Sequence, residues 1–365
     1  MSHIYKVIGL MSGTSLDGID VAMIETDGQG IVRPDAAAFF PYDTAFRDEM
    51  RNCLGNPSGT QDPKVREAEI ALTKKHAEAV RDFLETYDIN PKQIDLIGFH
   101  GQTIWHNPEA KQTIQIGDGK LLATQTRIDV VNDFRTADVQ AGGQGAPLVP
   151  LYHRALAHDL PKPVAIINIG GVSNVTWIGS EGDDQIFAFD LGPGNALIDD
   201  WVSRQAGLSC DKNGKLAAAG KVDQVQVAAF LSHPYFQKEP PKSLDRDAFA
   251  DFAPKECSTE DGAATLTMMT VRAVVHGLTQ MPLPAQTLYV TGGGRHNKTM
   301  MAWLAQESGL SVQSVDALGW DGDAMEAQAF AYLAVRSHSG LPLSVPGTTS
   351  VPAPMTGGRY HKAKN

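Results

Sequence analysis

The hydrophobic positions near the start of the chain predict two strands joined by a polar loop. Ile4–Leu10 and Ile19–Glu25 are apolar runs of strand length, and Met11–Gly18 between them is rich in glycine and hydroxyl side chains. After this hairpin, Pro63 opens a stretch in which apolar residues recur at helical spacing as far as Phe83. The first part of the chain is therefore predicted to combine strands with helices.

A looser form of the same hairpin returns near the middle of the chain. Val164–Ile169 and Val172–Ile178 are strand-like runs on either side of a Gly170-Gly171 turn. This is a weak internal repeat, in architecture rather than in sequence. Because further strand and helix patterns alternate after it, we expect an α/β protein with mixed sheets covered by helices.

Length and composition agree with a division into two domains. The chain has 365 residues, which is more than one compact core usually holds. Hydrophobic residues make up 42% and charged residues 20%, as is ordinary for a globular protein. We expect residues 1–160 to form an N-terminal α/β domain and residues 161–365 a C-terminal one, with a ligand cleft between them.

The charge balance argues against nucleic-acid binding. The chain carries 31 Lys and Arg against 42 Asp and Glu, a net charge of −11, and it has no basic stripe. An anionic ligand would then be held by backbone N–H groups and a few placed cations.

The three cysteines are far apart and form no disulfide or zinc pattern. Since no signal peptide and no membrane-spanning run is visible, we expect a cytoplasmic protein.

Three glycine-rich turns at predicted strand ends are candidate nucleotide-binding loops. Gly9–Gly18 offers glycines for close backbone approach to an anion, together with hydroxyl donors. Asn168–Thr176 and Thr291–Asn297 are the other two, and none of the three is a Walker A loop. Each turn is a weak signal by itself: the first is explained about as well by a polar hairpin tip, and the second is explained better by a simple hairpin turn. Their division between two domains favours a clamp around a nucleotide.

Asp190 is the candidate catalytic base. It ends the predicted strand Ile186–Phe189 and stands beside the tight turn Leu191–Asn195. A carboxylate so placed can take a proton from water or from a sugar hydroxyl, a role worth about 10²–10⁴-fold in rate. From the residues alone, a turn or a helix cap explains the aspartate slightly better.

Three further residues are candidates for binding a substrate. His100 follows a strand and suits a bond to a sugar, although buried structural histidines are more common. Arg135 suits two bonds to a carboxylate, or else a surface ion pair. Glu326 also fits a helix capping box with Asp323, three residues before it.

Taken together, these segments resemble a known family. Ile8–Gly18 is similar to the opening signature of the anhydro-N-acetylmuramic acid kinases. The resemblance continues in order through His100–Thr103, Gln115–Gly117, Asp133–Arg135, Ala141–Pro150, Asn168–Gly171, Phe189–Asn195, Gly292–Gly294 and Glu326. It therefore spans nearly the whole chain.

The resemblance implies an actin/hexokinase/Hsp70-like (ribonuclease H-like) fold with a nucleotide cleft between two domains. It also implies a reaction in which 1,6-anhydro-N-acetylmuramic acid, ATP and water give N-acetylmuramic acid 6-phosphate and ADP, with Mg²⁺. This reaction serves peptidoglycan recycling. The resemblance further implies a homodimer that binds neither nucleic acid nor a membrane.

Site residues follow from the resemblance, motif by motif. Asp190 would be the base, and His100, Arg135 and Glu326 would contact the sugar. Residues of the first and second phosphate loops and of the adenosine loop would bind ATP: Ser12, Gly13, Thr14, Ser15, Leu16, Asp17, Gly18, Ile19, Gly170, Gly171, Gly292, Gly293 and Gly294. The metal ligands are not predicted.

Two departures from the family pattern bear on sugar preference rather than on catalysis. Leu191 stands where several members have a small polar residue, and Lys242–Arg246 differs from the commoner Lys-Ser-Thr-Gly-Arg run. Two alternatives remain open from the residues: a kinase of the same superfamily acting on a free hexose or amino sugar, and a non-catalytic actin-like nucleotide-binding protein.

Overall fold

The chain folds as two compact units, one of them built from both ends of the sequence. The computed structural model describes residues 3–13, 15–179, 185–244 and 248–363. Unit 1 comprises Met1–His158 together with Ala324–Asn365, and unit 2 comprises Asp159–Asp323. Each unit has its own hydrophobic core.

Strands and helices alternate along the chain, as the hydrophobic pattern predicts. The strands are β1 (Tyr5–Met11), β2 (Gly18–Thr26), β3 (Val32–Pro41), β4 (Leu96–Phe99), β5 (Gln102–Asn107), β6 (Gln112–Ile116), β7 (Val130–Asn132), β8 (Val164–Ile169), β9 (Val172–Ile178), β10 (Ile186–Pro193), β11 (Thr287–Thr291), β12 (Ser311–Ser314) and β13 (Arg359–His361). The helices are α1 (Thr44–Arg51), α2 (Pro63–Thr86), α3 (Gly119–Thr126), α4 (Thr136–Gln140), α5 (Pro150–Leu156), α6 (Ala196–Ala206), α7 (Lys215–Ala219), α8 (Gln224–Leu231), α9 (Thr259–Leu278), α10 (Lys298–Ser308), α11 (Met325–His338) and α12 (Pro346–Thr349). In the described part of the chain, none of these helices is long and apolar enough to cross a membrane.

The main sheets of the two units share one order of five strands, which confirms the predicted fold class. In unit 1 the order is β7-β4-β1-β2-β3, with β13 as an additional edge strand beside β7, and in unit 2 the corresponding order is β12-β11-β8-β9-β10. In each sheet the first three strands in sequence are antiparallel, and the next two lie parallel to the first. The repeat seen in the hairpins therefore extends to whole sheets. The predicted cleft between the domains stays a prediction.

The C-terminal segment differs from the predicted domain assignment. The division between His158 and Asp159 lies close to the predicted one after residue 160, but Ala324–Asn365 belongs to unit 1 rather than to the C-terminal domain. Its helix α11 packs on β1, β2 and β4, and β13 pairs with β7. The tail after Gly340 therefore supplies an edge strand to the first sheet.

Two adjacent glycines explain why α11 lies so close to the sheet of unit 1. Gly9 of β1 and Gly98 of β4 are partners in the parallel ladder. A Cβ atom on Gly9 would lie 1.7 Å from the carbonyl oxygen of Ala327, and one on Gly98 would lie 2.1 Å from that of Phe330. Since no side chain fits there, the helix backbone rests directly on the strands, and Glu326 is placed in the first turn of that helix.

Candidate active site

The first predicted phosphate loop lies in unit 1, between β1 and β2. Ser12 is buried, and its hydroxyl donates to the carbonyl oxygen of Gly101 at 3.2 Å. Leu16 and Ile19 are also buried, whereas the exposed Ser15 hydroxyl donates to Asp17 Oδ1 at 2.7 Å. The loop thus presents mainly backbone groups and the Asp17 carboxylate to a ligand. Thr14 lies outside the described residues.

His100 and Arg135, two of the predicted sugar-binding residues, are hydrogen-bonded to each other in unit 1. Arg135 Nε donates to His100 Nε2 at 3.0 Å, and His100 Nδ1 lies 2.8 Å from the Gly101 carbonyl oxygen. Since Nε2 accepts, Nδ1 carries the proton and the ring is neutral. Burial lowers the pKa of His100 well below its usual value, and the charge of Arg135 adds to this effect.

Glu326 joins these two residues. Its carboxylate is half-buried and faces the charge of Arg135, and burial raises the pKa of Glu326 while Arg135 opposes the rise. Within the described ranges, no hydrogen bond reaches this carboxylate. The capping box with Asp323 does not form, because α11 has Ala324 as its N-cap and Asp323 bonds elsewhere. The three predicted sugar-binding residues therefore form one cluster.

A buried aspartate that was not selected from the sequence supports this cluster. Asp138 Oδ1 accepts the Gly145 N–H at 2.6 Å, and its Oδ2 accepts the hydroxyls of Ser344 and Thr349. The Gly145 carbonyl oxygen in turn accepts from Arg135 Nη1 at 2.7 Å. Asp138 thus connects the C-terminal segment to the loop that fixes the Arg135 guanidinium.

The other predicted glycine turns meet in unit 2, at the ends of β8 and β11. The Gly170 carbonyl oxygen accepts the Asn195 N–H at 2.7 Å, and that of Gly171 accepts the Gly194 N–H at 2.9 Å. Gly292 has φ +72°, and a Cβ atom there would lie 2.3 Å from Asn168 Oδ1. Glycine is required at Gly292 by both conformation and space. The predicted second phosphate loop and the predicted adenosine loop are thus neighbours.

Arg295 holds the loop of Gly292–Gly294 and was not selected from the sequence. Its side chain is buried and makes two parallel bonds to the carboxylate of Asp323, at 2.8 and 2.6 Å. Arg295 Nη1 also donates to the Gly292 carbonyl oxygen at 3.1 Å. A bidentate guanidinium of this kind fixes a loop geometrically. The sequence shows an arginine directly after three glycines, but it does not indicate that Asp323 is the partner of this arginine.

Asp190 stands in unit 2 at an irregular point of β10. The register of β10 against β9 shifts between Asp190 and Gly192. The Leu244 N–H donates to Asp190 Oδ2 at 2.8 Å, and in the described part of the chain no hydrogen bond reaches Oδ1. Burial raises the pKa of Asp190 to about 7, and the Leu244 bond opposes the rise. Asp190 caps no helix, since Asn195 is the N-cap of α6.

Comparison with known proteins places this arrangement in a family. The sequence profile of the anhydro-N-acetylmuramic acid kinases matches residues 5–362. A protein of that name from Paramagnetospirillum magneticum is 54% identical, over 97% of this chain and 99% of the relative. Another from Rhodospirillum rubrum is 50% identical, over 98% of this chain and 94% of the relative.

Solved structures with a similar course of the chain are distant in sequence. Component A of (R)-2-hydroxyglutaryl-CoA dehydratase from Acidaminococcus fermentans has a TM-score of 0.49 at 12% identity, covering 92% of this chain and 99% of that one. The activator of 2-hydroxyisocaproyl-CoA dehydratase from Clostridium difficile, with bound ADPNP, has a TM-score of 0.46 at 10% identity, covering 92% and 96%.

Proposed function

Because the chain belongs to the anhydro-N-acetylmuramic acid kinase family, we propose that Asp190 is the base of its reaction and that the Arg135 cluster holds its sugar. The protein is a kinase of 1,6-anhydro-N-acetylmuramic acid in peptidoglycan recycling, and it uses ATP. The observation that carries this function is 54% identity over 97% of the chain. Neither a free-hexose kinase nor a non-catalytic actin-like protein accounts for that match.

The substrate itself requires a base that acts on water. In the anhydro sugar O6 is bonded to C1, so there is no free 6-hydroxyl to phosphorylate. Asp190 Oδ1 would accept a proton from water as the water oxygen bonds to C1. The C1–O6 bond would break, O6 would bond to the γ-phosphorus, and ADP would leave. A carboxyl with a pKa of about 7 suits general-base work near neutral pH.

The phosphates of ATP would be held by the glycine loops and Mg²⁺. Ser12–Ile19 and Gly170-Gly171 would supply backbone N–H groups, and Gly292–Gly294 would lie on the adenosine side. Among the described residues, no group of three or more His, Cys, Asp or Glu side chains could hold a metal alone. Mg²⁺ suits this arrangement, because it binds through phosphates and one or two carboxylates. Asp17 is the carboxylate we assign to it, and the ion would neutralise phosphate charge.

The Arg135 cluster has the chemistry to bind the acidic sugar. N-acetylmuramic acid carries a carboxylate on its lactyl group, and a guanidinium is suited to bind one. Arg135 Nε and Nη1 are occupied by His100 and Gly145, which orients the remaining nitrogen, Nη2. Glu326 would accept a hydroxyl or amide proton of the sugar. We also propose a cytoplasmic homodimer, which family membership supports.

ADP release tests the function directly. The purified protein is incubated with ATP and Mg²⁺ plus the anhydro sugar, free N-acetylmuramic acid or glucose. We expect release with the anhydro sugar alone, and incorporation of one ¹⁸O atom at C1 when the reaction runs in labelled water. Release with a free sugar alone would mean hydroxyl phosphorylation without coupled hydrolysis, and no release with any sugar would contradict the kinase assignment.

Replacing Arg135 tests the sugar site. We expect Arg135→Met to raise the KM for the anhydro sugar about 10- to 100-fold, because a hydrogen bond to a charged group is lost. The KM for ATP should stay unchanged. Arg33→Met is the matched control, since Arg33 is an exposed arginine of the same unit. Steady-state kinetics that showed an equal rise in both KM values would contradict a sugar-binding role.

A further inference from the structure

Unit 2 contains a buried ammonium group that the reaction described above does not use. Lys242 is 8% exposed. Its Nζ donates to the carbonyl oxygens of Tyr235 and Lys238, at 3.3 and 3.0 Å, and to Gln280 Oε1 at 3.0 Å. Among the described residues, none of its hydrogen-bond partners is a carboxylate. A buried cation held by neutral groups alone is costly, and a structural role would be filled more cheaply by an apolar side chain.

The groups that Lys242 holds are those that contact Asp190. The Lys242 carbonyl oxygen accepts the Asp190 N–H at 2.9 Å, and two residues later the Leu244 N–H donates to Asp190 Oδ2. Tyr235, whose carbonyl oxygen accepts from the ammonium, donates its hydroxyl to the Asp190 carbonyl oxygen at 2.5 Å. The Lys242 ammonium group therefore links the two groups that contact Asp190, which are Tyr235 and the Lys242–Leu244 segment.

The pairing of Asp190 with Asn174 of β9 fixes the backbone of Asp190 but not the direction of its carboxylate. The ladder between β9 and β10 is irregular directly after Asp190, where the register shifts. Gln280, just beyond α9, both accepts from Lys242 and donates to the Lys238 carbonyl oxygen at 3.3 Å. The ammonium thus ties the segment 238–244 to the end of α9 and, through that segment, fixes Asp190.

We propose that Lys242 is a positioning residue for Asp190: it keeps the Leu244 N–H on Oδ2, so that Oδ1 is the oxygen that takes the proton from water. This inference rests on the proposed role of Asp190 as the base. The active form then needs a deprotonated Asp190 and a protonated Lys242.

The charges around Lys242 define the pH dependence to be expected. Burial lowers the pKa of Lys242 to about 8, and the nearby charge of Lys238 adds to this effect. Tyr235 faces it with a raised pKa, caused by burial and then by Asp190, so this phenol stays neutral. His276 Nε2 bonds to the Phe236 carbonyl oxygen on the same side of α9. Since the pKa of Asp190 is about 7, the pH profile of kcat/KM should be bell-shaped, rising near pH 7 and falling near pH 8.

The test is the pH profile of kcat/KM, measured together with kcat, in Lys242→Met, Lys242→Arg and Lys238→Met. For Lys242→Met we expect kcat to fall about 10- to 100-fold, as misplacing a catalytic group does. Its acid limb should move to higher pH, because losing the Leu244 bond favours protonated Asp190, and its alkaline limb should vanish. Lys242→Arg should recover kcat and move the alkaline limb out of range. Lys238→Met removes an equal charge from the same segment and should keep kcat.

Several outcomes decide the matter. A Lys242→Met protein with a lowered melting temperature but unchanged limbs would overturn the inference, since a purely structural residue lowers the folded fraction without moving a pKa. If Lys242→Met does not fold, Gln280→Leu must move the acid limb in the same direction. Asp190→Asn separates the two proposals: if it retains turnover, Asp190 is not the base, whereas an inactive Asp190→Asn beside unmoved limbs in Lys242→Met refutes only the positioning role.

Discussion

Asp190→Asn should lower kcat by about 10²–10⁴-fold while leaving ATP affinity within about twofold of the wild-type value. The amide keeps the size of the side chain and can still accept the Leu244 N–H. It cannot take a proton from water, so the attack on C1 loses its base. Single-turnover kinetics with the anhydro sugar measure the chemical step, and a nucleotide displacement titration measures ATP binding.

The pH dependence of the same pair of proteins gives a second readout. Burial raises the pKa of Asp190 to about 7, so the wild-type rate should fall as pH drops through 7, and the residual rate of Asp190→Asn should lack this limb. The stability of the folded protein depends on pH in the opposite direction. A carboxyl whose folded pKa lies above its unfolded value favours folding when protonated, and this contribution is lost as pH rises towards 7. Asp190→Asn should therefore melt no lower than wild type at pH 8.

A matched control and a contrary result complete this test. Asp251→Asn changes an exposed aspartate of the same unit and should leave kcat unchanged. Near-normal turnover of Asp190→Asn, with Asp251→Asn also active, would show that another group activates the water. An inactive Asp190→Asn that had also lost ATP would indicate a damaged loop rather than a missing base.

Local patterns in the sequence were enough to predict the repeated hairpins and the glycine turns. A glycine turn between two apolar runs is encoded within about ten residues, so the turn between β1 and β2 and the turn between β8 and β9 stand where they were predicted. The prediction that Asp190 ends its strand was wrong, because β10 continues to Pro193 and Asp190 lies at a register shift within it. The sequence did not show which groups contact the site residues. Leu244 lies 54 positions beyond Asp190, and Ser344 lies 206 positions beyond Asp138. Such partners depend on the packing of distant segments.

The misassigned C-terminal segment shows a signal that could have been used. Sequence order favours keeping residues 324–365 with the domain that precedes them. Gly9 and Gly98, however, each interrupt an apolar strand pattern, and an isolated glycine in a strand indicates close approach of another backbone. That signal predicts close approach of another backbone, but it does not show which segment approaches, which is why the position of α11 on this sheet became evident only in the structure.

Gly9→Ala should destabilise unit 1 by about 3 kcal/mol, at the upper end of the usual cost of overpacking. The added Cβ would meet the Ala327 carbonyl oxygen at 1.7 Å, and no rotamer change can relieve a contact between a Cβ and a backbone atom. Thermal unfolding should show a decrease in Tm of about 6–12 °C. Gly30→Ala is the matched control, because a Cβ at Gly30 meets nothing within 4 Å, and its Tm should stay close to that of wild type.

The same substitution should also weaken sugar binding, since α11 must move to make room. Glu326 lies one residue before Ala327, so the displaced helix carries the carboxylate away from Arg135. We expect the KM for the anhydro sugar to rise in Gly9→Ala at a temperature where the protein is still folded, while the unfolding of unit 2 is little affected. A variant with an unchanged Tm would contradict the close packing of α11 on β1. A lowered Tm with an unchanged KM for the sugar would instead mean that Glu326 does not bind it.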